Sequence, residues 1–139
     1  MTRVLLVDDD VALLEELADG VQSFGFNVLT AGDAVAALAV IAGPADVAVV
    51  MTDLLMPGLS GLDLAERLLA GRGEAHAIEV VILTGRLSEL DAARAARLGV
   101  FATLGKVSRL RDVSAVLAQA QQRALERRRA AMPAAEVAK

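Results

Sequence analysis

Apolar residues along this chain come in two rhythms that alternate from one end to the other. Val4-Leu5-Leu6-Val7, Val47-Ala48-Val49-Val50-Met51-Thr52 and Val80-Val81-Ile82-Leu83 are continuous runs, the pattern of strands covered on both faces. Weaker runs over Asn27–Ala31 and Phe101–Leu104 bring the set to five. Between them, apolar positions fall at helical spacing. Val11, Leu14, Leu17, Val21 and Phe24 precede Gly25, and Ala34, Ala37, Leu38 and Ile41 precede Gly43-Pro44, so each series reads as the inner face of a helix closed by a glycine. Asp10 and Asp33 stand where N-caps belong. Ser60-Gly61-Leu62-Asp63 and Ser88-Glu89-Leu90-Asp91 both fit the capping-box pattern, opening helices over about 61–70 and 89–98, the second ended by Gly99.

A last helix is expected from near Ser108 to about Ala131. Its inner stripe of Leu110, Val113, Leu117 and Ala120 fades after two or three turns. Arg123, Arg127, Arg128 and Arg129 then read as a solvated helix end complementing the helix dipole, with a partner-docking extension as the alternative. Residues 134–139 are expected to form a disordered tail. Five βα units in this order predict one doubly wound α/β domain, a parallel five-stranded sheet with helices on both faces. The domain is expected over residues 1–125, with a helix extension and tail over 126–139.

The strand ends carry the chemistry. The first run stops at Asp8-Asp9-Asp10, the third at Asp53, the fourth at Thr84-Gly85 and the fifth at Gly105-Lys106. In a parallel sheet these ends share one edge, where open α/β sheets place their sites. Pro57-Gly58 stops the chain soon after Asp53 and forces a turn. Two carboxylates about 5 Å apart repel by roughly 3 kcal/mol at an effective dielectric near 20. Such a cluster calls for a cation, and carboxylates without Cys or a nearby His favour a hard, oxygen-loving ion, Mg²⁺ first.

Composition narrows the picture. The 139 residues suit one domain, and a net charge of −4 argues against a nucleic-acid-binding surface, which is ordinarily basic. The absence of cysteine excludes disulfides and thiolate metal sites, and fits a cytoplasmic setting. A run of only four apolar residues leads up to Asp8, too few for a signal peptide, and no stretch approaches the ~20 apolar residues of a membrane span.

Taken in order, Asp8-Asp9, Asp53 followed by Met56-Pro57, Thr84-Gly85 and Lys106 resemble the receiver domain of two-component response regulators, across about residues 2–125. The resemblance implies a flavodoxin-like (βα)5 sandwich with strand order 2-1-3-4-5. It also implies that Asp53 is the phosphoryl acceptor, that Asp8, Asp9, Asp53 and the Leu55 carbonyl hold Mg²⁺, and that Thr84, Gly85 and Lys106 receive the phosphoryl group. The implied phosphodonor is a sensor histidine kinase or phosphotransfer protein. Such a domain is no ordinary enzyme, catalysing only its own phosphorylation and dephosphorylation. Leu55 and Arg86, two residues past Asp53 and Thr84, would flank the phosphoryl group and control its hydrolysis.

Two positions depart from the family pattern. Thr103 stands where receivers usually carry Tyr or Phe, and Val107 stands where Pro usually follows the lysine. The expected function is therefore a stand-alone regulator, since too little follows residue 131 for a further domain. It would signal through an unidentified downstream protein, with homodimerisation left open. The alternatives are a receiver-like interaction module without phosphorylation-driven switching and, further off, a haloacid-dehalogenase-like phosphatase. That phosphatase would need another acidic pair after the lysine and gives Asp53 no role.

Overall fold

The computed structural model describes residues 1–70 and 73–132; the expected tail lies outside them. Five strands, β1 (Arg3–Val7), β2 (Val28–Ala31), β3 (Val47–Thr52), β4 (Glu79–Thr84) and β5 (Ala102–Gly105), form one parallel sheet in the order β2-β1-β3-β4-β5. The helices are α1 (Val11–Ser23), α2 (Ala34–Ala42), α3 (Gly61–Leu69), α4 (Glu89–Leu98) and α5 (Leu110–Ala130), with a 3-10 turn at Glu74–His76 before β4. This is the doubly wound sandwich expected from the two alternating rhythms.

Two apolar clusters fill the two sides of the sheet. Leu5, Val7, Val50, Val80 and Ile82 pack with α2, α3 and α4, whereas Val4, Leu6, Met51, Val81 and Leu83 pack with α1 and α5. Alternation breaks once. Ala48 and Val49 both face the α1–α5 side, because the pairing of β1 with β3 skips a residue: Arg3 opposes Val47, yet Val4 opposes Val49. An extra residue of this kind turns every later side chain to the other face. The slip therefore sets which way β3 presents its carboxyl end.

Local details refine several expectations. Val11 and Phe24 are exposed, and the buried face of α1 is Leu14, Ala18 and Val21. Phe24 takes the C-cap position, so it leaves the helical stripe. The capping box at Ser60 is complete, with the hydroxyl accepting from the Asp63 amide at 3.1 Å and the Asp63 carboxylate accepting from the Ser60 amide at 3.0 Å. At Ser88 only the first half forms, the hydroxyl accepting from the Asp91 amide at 3.1 Å. Gly99 closes α4 with φ +81°, a left-handed conformation that a side chain would strain.

The last helix differs most. Its buried stripe continues through Ala120 to Ala124, and two of its arginines fold back onto the amino edge of the sheet. Arg127 grips Glu74 with two bonds of 2.7 and 2.8 Å and reaches Glu79 at 2.6 Å. Arg128 donates to Asp46 at 2.7 Å and to the carbonyls of Ala77 and Val47 at 2.9 Å. These two arginines are clamps rather than a solvated end. Among the described residues no helix is long and apolar enough to cross a membrane.

Candidate functional site

The sheet brings the strand ends together as their order requires. Asp8 and Asp53 stand at the ends of adjacent strands, and the Asp53 amide donates to the Val7 carbonyl at 2.9 Å, carrying the β1–β3 pairing one residue beyond β3. Both carboxylates are buried, with residue exposures of 4% for Asp8 and 8% for Asp53. Asp9 is exposed at the rim. Each of the three offers a carboxylate oxygen, and these oxygens lie within 4.8 Å of one another. Asp10 does something else: its carboxylate caps α1 by accepting from the Leu13 amide at 3.1 Å.

Lys106 closes the cluster. Its Nζ lies 3.1 Å from Asp8 Oδ2 and 3.2 Å from Asp53 Oδ2, and its amide donates to the Thr84 carbonyl at 2.9 Å, fixing β5 beside β4. Burial alone would lower the Lys106 pKa, but hydrogen bonds to Asp8 and Asp53 outweigh it and the ammonium is favoured. Asp53 moves the opposite way for a carboxylate, its pKa raised chiefly by burial against the opposing hydrogen bond from Lys106. Three carboxylates and one ammonium, −3 + 1, leave the ionised pocket at −2.

That charge and donor set fit a divalent hard cation. Adjacent oxygens on an octahedral Mg²⁺ with ~2.1 Å bonds are about 3 Å apart and opposite ones about 4.2 Å, so small side-chain movements suffice. An exposed member at the rim suits an ion that keeps several of its waters.

The remaining residues sit around this core. Thr84 is buried, and its hydroxyl donates to the Arg86 carbonyl at 3.0 Å while accepting from the Arg86 amide at 3.3 Å. The hydroxyl is thus tied to its own turn. Gly85 and Arg86 are exposed in the loop beyond. Leu55 is 69% exposed in the β3–α3 turn and Val107 is 98% exposed after Lys106. Thr103 lines a surface cavity of about 260 Å³ together with Thr84, Gly85, Arg86, Leu87 and Leu104.

Two residues escaped the sequence reading. The Thr52 hydroxyl donates to the Asp53 carbonyl at 2.9 Å. Gly61 presses on the same carbonyl so closely that a Cβ there would lie 2.2 Å from the oxygen. The available signal was one hydroxyl in an otherwise apolar strand, followed by a glycine opening a helix.

A five-stranded 2-1-3-4-5 sheet with three aspartates and a lysine on its carboxyl edge defines a receiver-type signalling domain. Comparison with known proteins agrees: the model of the response regulator receiver domain matches residues 4–118, and the chain belongs to that family, part of two-component systems. It is 37% identical over 99 residues to the transcriptional regulatory protein CpxR of Klebsiella pneumoniae, covering 71% of this chain and 40% of that protein. It is 36% identical over 100 residues to the sensory transduction protein RegX3 of Mycolicibacterium smegmatis, covering 71% and 41%. The chain thus spans about two-fifths of the length of these curated relatives. Among solved structures, a response regulator receiver domain from Clostridium thermocellum superposes with TM-score 0.77 at 28% identity, over 88% of this chain and 96% of that one. A CheY-like receiver from Methanospirillum hungatei gives TM-score 0.81 at 23% identity, over 91% and 98%, which speaks for the fold. Family membership removes the phosphatase alternative.

Proposed function

We propose that this chain is a phosphorylatable receiver in which Asp53 accepts a phosphoryl group from a phosphohistidine on a sensor kinase or phosphotransfer protein. The observation that carries the reading is the junction of Asp8, Asp9 and Asp53 with Lys106 bridging the two buried members. An Asp53 carboxylate oxygen forms the new bond to phosphorus as the phosphorus–nitrogen bond of the donor breaks, leaving an acyl phosphate and a free imidazole. Lys106 follows the charge, turning its ammonium toward the incoming phosphoryl oxygens. Asp8, Asp9, Asp53 and the Leu55 carbonyl would hold Mg²⁺, which supplies shielding between the anionic carboxylate and the anionic phosphoryl group. Thr84 would exchange its bond to the Arg86 carbonyl for one to a phosphoryl oxygen, drawing the β4–α4 loop inward. The output is protein–protein contact by the receiver surface, in the cytoplasm.

Intact-mass spectrometry with a small acyl or amidophosphate donor tests the assignment. One added phosphoryl group is expected on the wild type with Mg²⁺, and none with EDTA or on Asp53→Asn. Equal labelling of Asp53→Asn would remove Asp53 from the role.

A second reading, a receiver-like module that binds partners without switching, draws on the Thr103 cavity, where no ring is present to move. Equal partner capture by the wild type with and without beryllofluoride would favour it.

A further inference from the structure

Strand β3 is fully buried, and Thr52 is its single polar residue. A buried hydroxyl weakens a fold unless it is hydrogen-bonded, and valine would fill the same volume without that risk. The Thr52 proton is used on the Asp53 carbonyl at 2.9 Å, with the Met56 sulfur 3.9 Å from the same hydroxyl. That carbonyl is also covered by Gly61, where any Cβ would collide with it. The next carbonyl, that of Leu54, accepts from the Gly61 amide at 2.8 Å. Two successive peptide planes after β3 are therefore pinned, one by the Thr52 hydroxyl and the other by the first residue of α3. The planes in question carry the Asp53 side chain at one end and lead into Leu55 at the other.

We propose that Thr52 is a positioning residue for the acceptor site: its hydroxyl, acting against Gly61, fixes the Asp53–Leu54 peptide so that the Asp53 carboxylate and the Leu55 carbonyl are held ready for a divalent cation and a phosphoryl donor. This rests on Asp53 being the acceptor. Without the hydroxyl the Asp53 carbonyl loses its donor, and the turn gains freedom where the cation needs order. Thr52 touches neither the cation nor the phosphoryl group, so its effect passes through the peptide alone.

Two pairs of variants isolate the hydroxyl. Wild type against Thr52→Val removes it at nearly constant shape, and Thr52→Ser against Thr52→Ala removes it in the absence of the methyl. The second pair carries the test if the valine variant does not fold. Mg²⁺ affinity is read by amide chemical-shift titration, which needs no phosphorylation. Initial phosphorylation rate is read separately with a small amidophosphate at saturating Mg²⁺.

Each loss of hydroxyl should weaken Mg²⁺ binding about three- to tenfold, the worth of one neutral hydrogen bond, and slow phosphorylation at saturating Mg²⁺. Thr52→Ser should recover both. Unchanged affinity and rate on removing the hydroxyl, or equal loss in the Ser and Ala variants, would overturn the proposal. Should Asp53 not be the acceptor, the wild type would still bind Mg²⁺ while Asp53→Asn kept its label. That pattern is distinct from any outcome of the Thr52 pairs.

Discussion

Burial raises the pKa of Asp53, a hydrogen bond from Lys106 opposes it, and the charge of Asp8 adds to the rise. A carboxylate whose folded pKa lies above its unfolded value of about 3.8 destabilises the native state once it ionises. The penalty is absent below the unfolded value and complete above the folded one. Asp53→Asn should therefore be more stable than the wild type at pH 7 without divalent ions. The gain should shrink as pH falls toward 4, as urea midpoints at the two pH values would show. A less stable Asn variant at pH 7 would reverse the sign of this argument.

The same conflict is expected to make the wild type responsive to cations. At a concentration about 100 times its dissociation constant, Mg²⁺ should add roughly 2.7 kcal/mol to stability, and Asp9→Ala should lose most of that. The Leu55 and Arg86 side chains are expected to bear on lifetime rather than formation. The exposed leucine offers no hydrogen bond to a water approaching in line with the phosphoryl group, and hydrolysis needs such a water held in place. Leu55→Asn with Arg86→Glu is expected to shorten the phosphorylated lifetime several-fold, measured as loss of the added mass with time. An unchanged lifetime would show that neither side chain gates the water.

At the scale of elements, caps and clamps dominate. The Asp63 pKa is lowered, first by the Ser60 amide and then by Arg94, whose Nη2 lies 2.9 Å from Asp63 Oδ1. This stabilisation is present above the unfolded pKa and lost as pH falls through the folded one, opposite in sign to Asp53. Ser60→Ala should cost about 1 kcal/mol in chemical denaturation.

The α5 clamp acts across a greater distance. Glu79 is buried at the start of β4, so Arg127→Met leaves it with Arg123 alone, at 3.5 Å. A loss of about 2–3 kcal/mol is expected, somewhat below the ~3–5 of a fully buried broken pair. Adding Glu79→Gln should recover part of it, and additive losses in that double-mutant cycle would mean the two do not interact.

These elements also show what could be read from the chain. β3 and β4 were legible because strands covered on both faces are written as unbroken apolar runs. The strand-end acids were legible because a parallel sheet leaves its carboxyl ends no other place. The reach of α5 was not. Ala124 packs where periodicity had faded, and the partners of Arg127 and Arg128 come from positions 46, 74 and 79, which no local window contains. Glu79 joined β4 despite its charge for the same reason, its carboxylate being met from far along the chain. The incomplete box at Ser88 shows the converse: the motif was present, and only one of its two bonds formed.

The molecule as a whole joins the Asp8–Asp9–Asp53 cluster on one edge of the sheet to a last helix anchored at the other. Between Thr84 and Thr103 lies a cavity with no ring to occupy it. Phosphorylation is therefore expected to reorganise the loop after Thr84 more than β5. With beryllofluoride, amide shifts should be large over Gly85–Ser88 and small over Phe101–Val107. Comparable shifts in both segments would show that β5 switches without an aromatic.

The cavity has a further use, because the protein contains neither tryptophan nor tyrosine. It is dark above the weak phenylalanine band, and one indole introduced at Thr103 would be the molecule's only emitter. Seated over a space of about 260 Å³ shared with Thr84, that indole would report whether the space closes around it when the neighbouring loop moves. The vacancy beside Thr103 would thus also serve as an optical window onto any such movement.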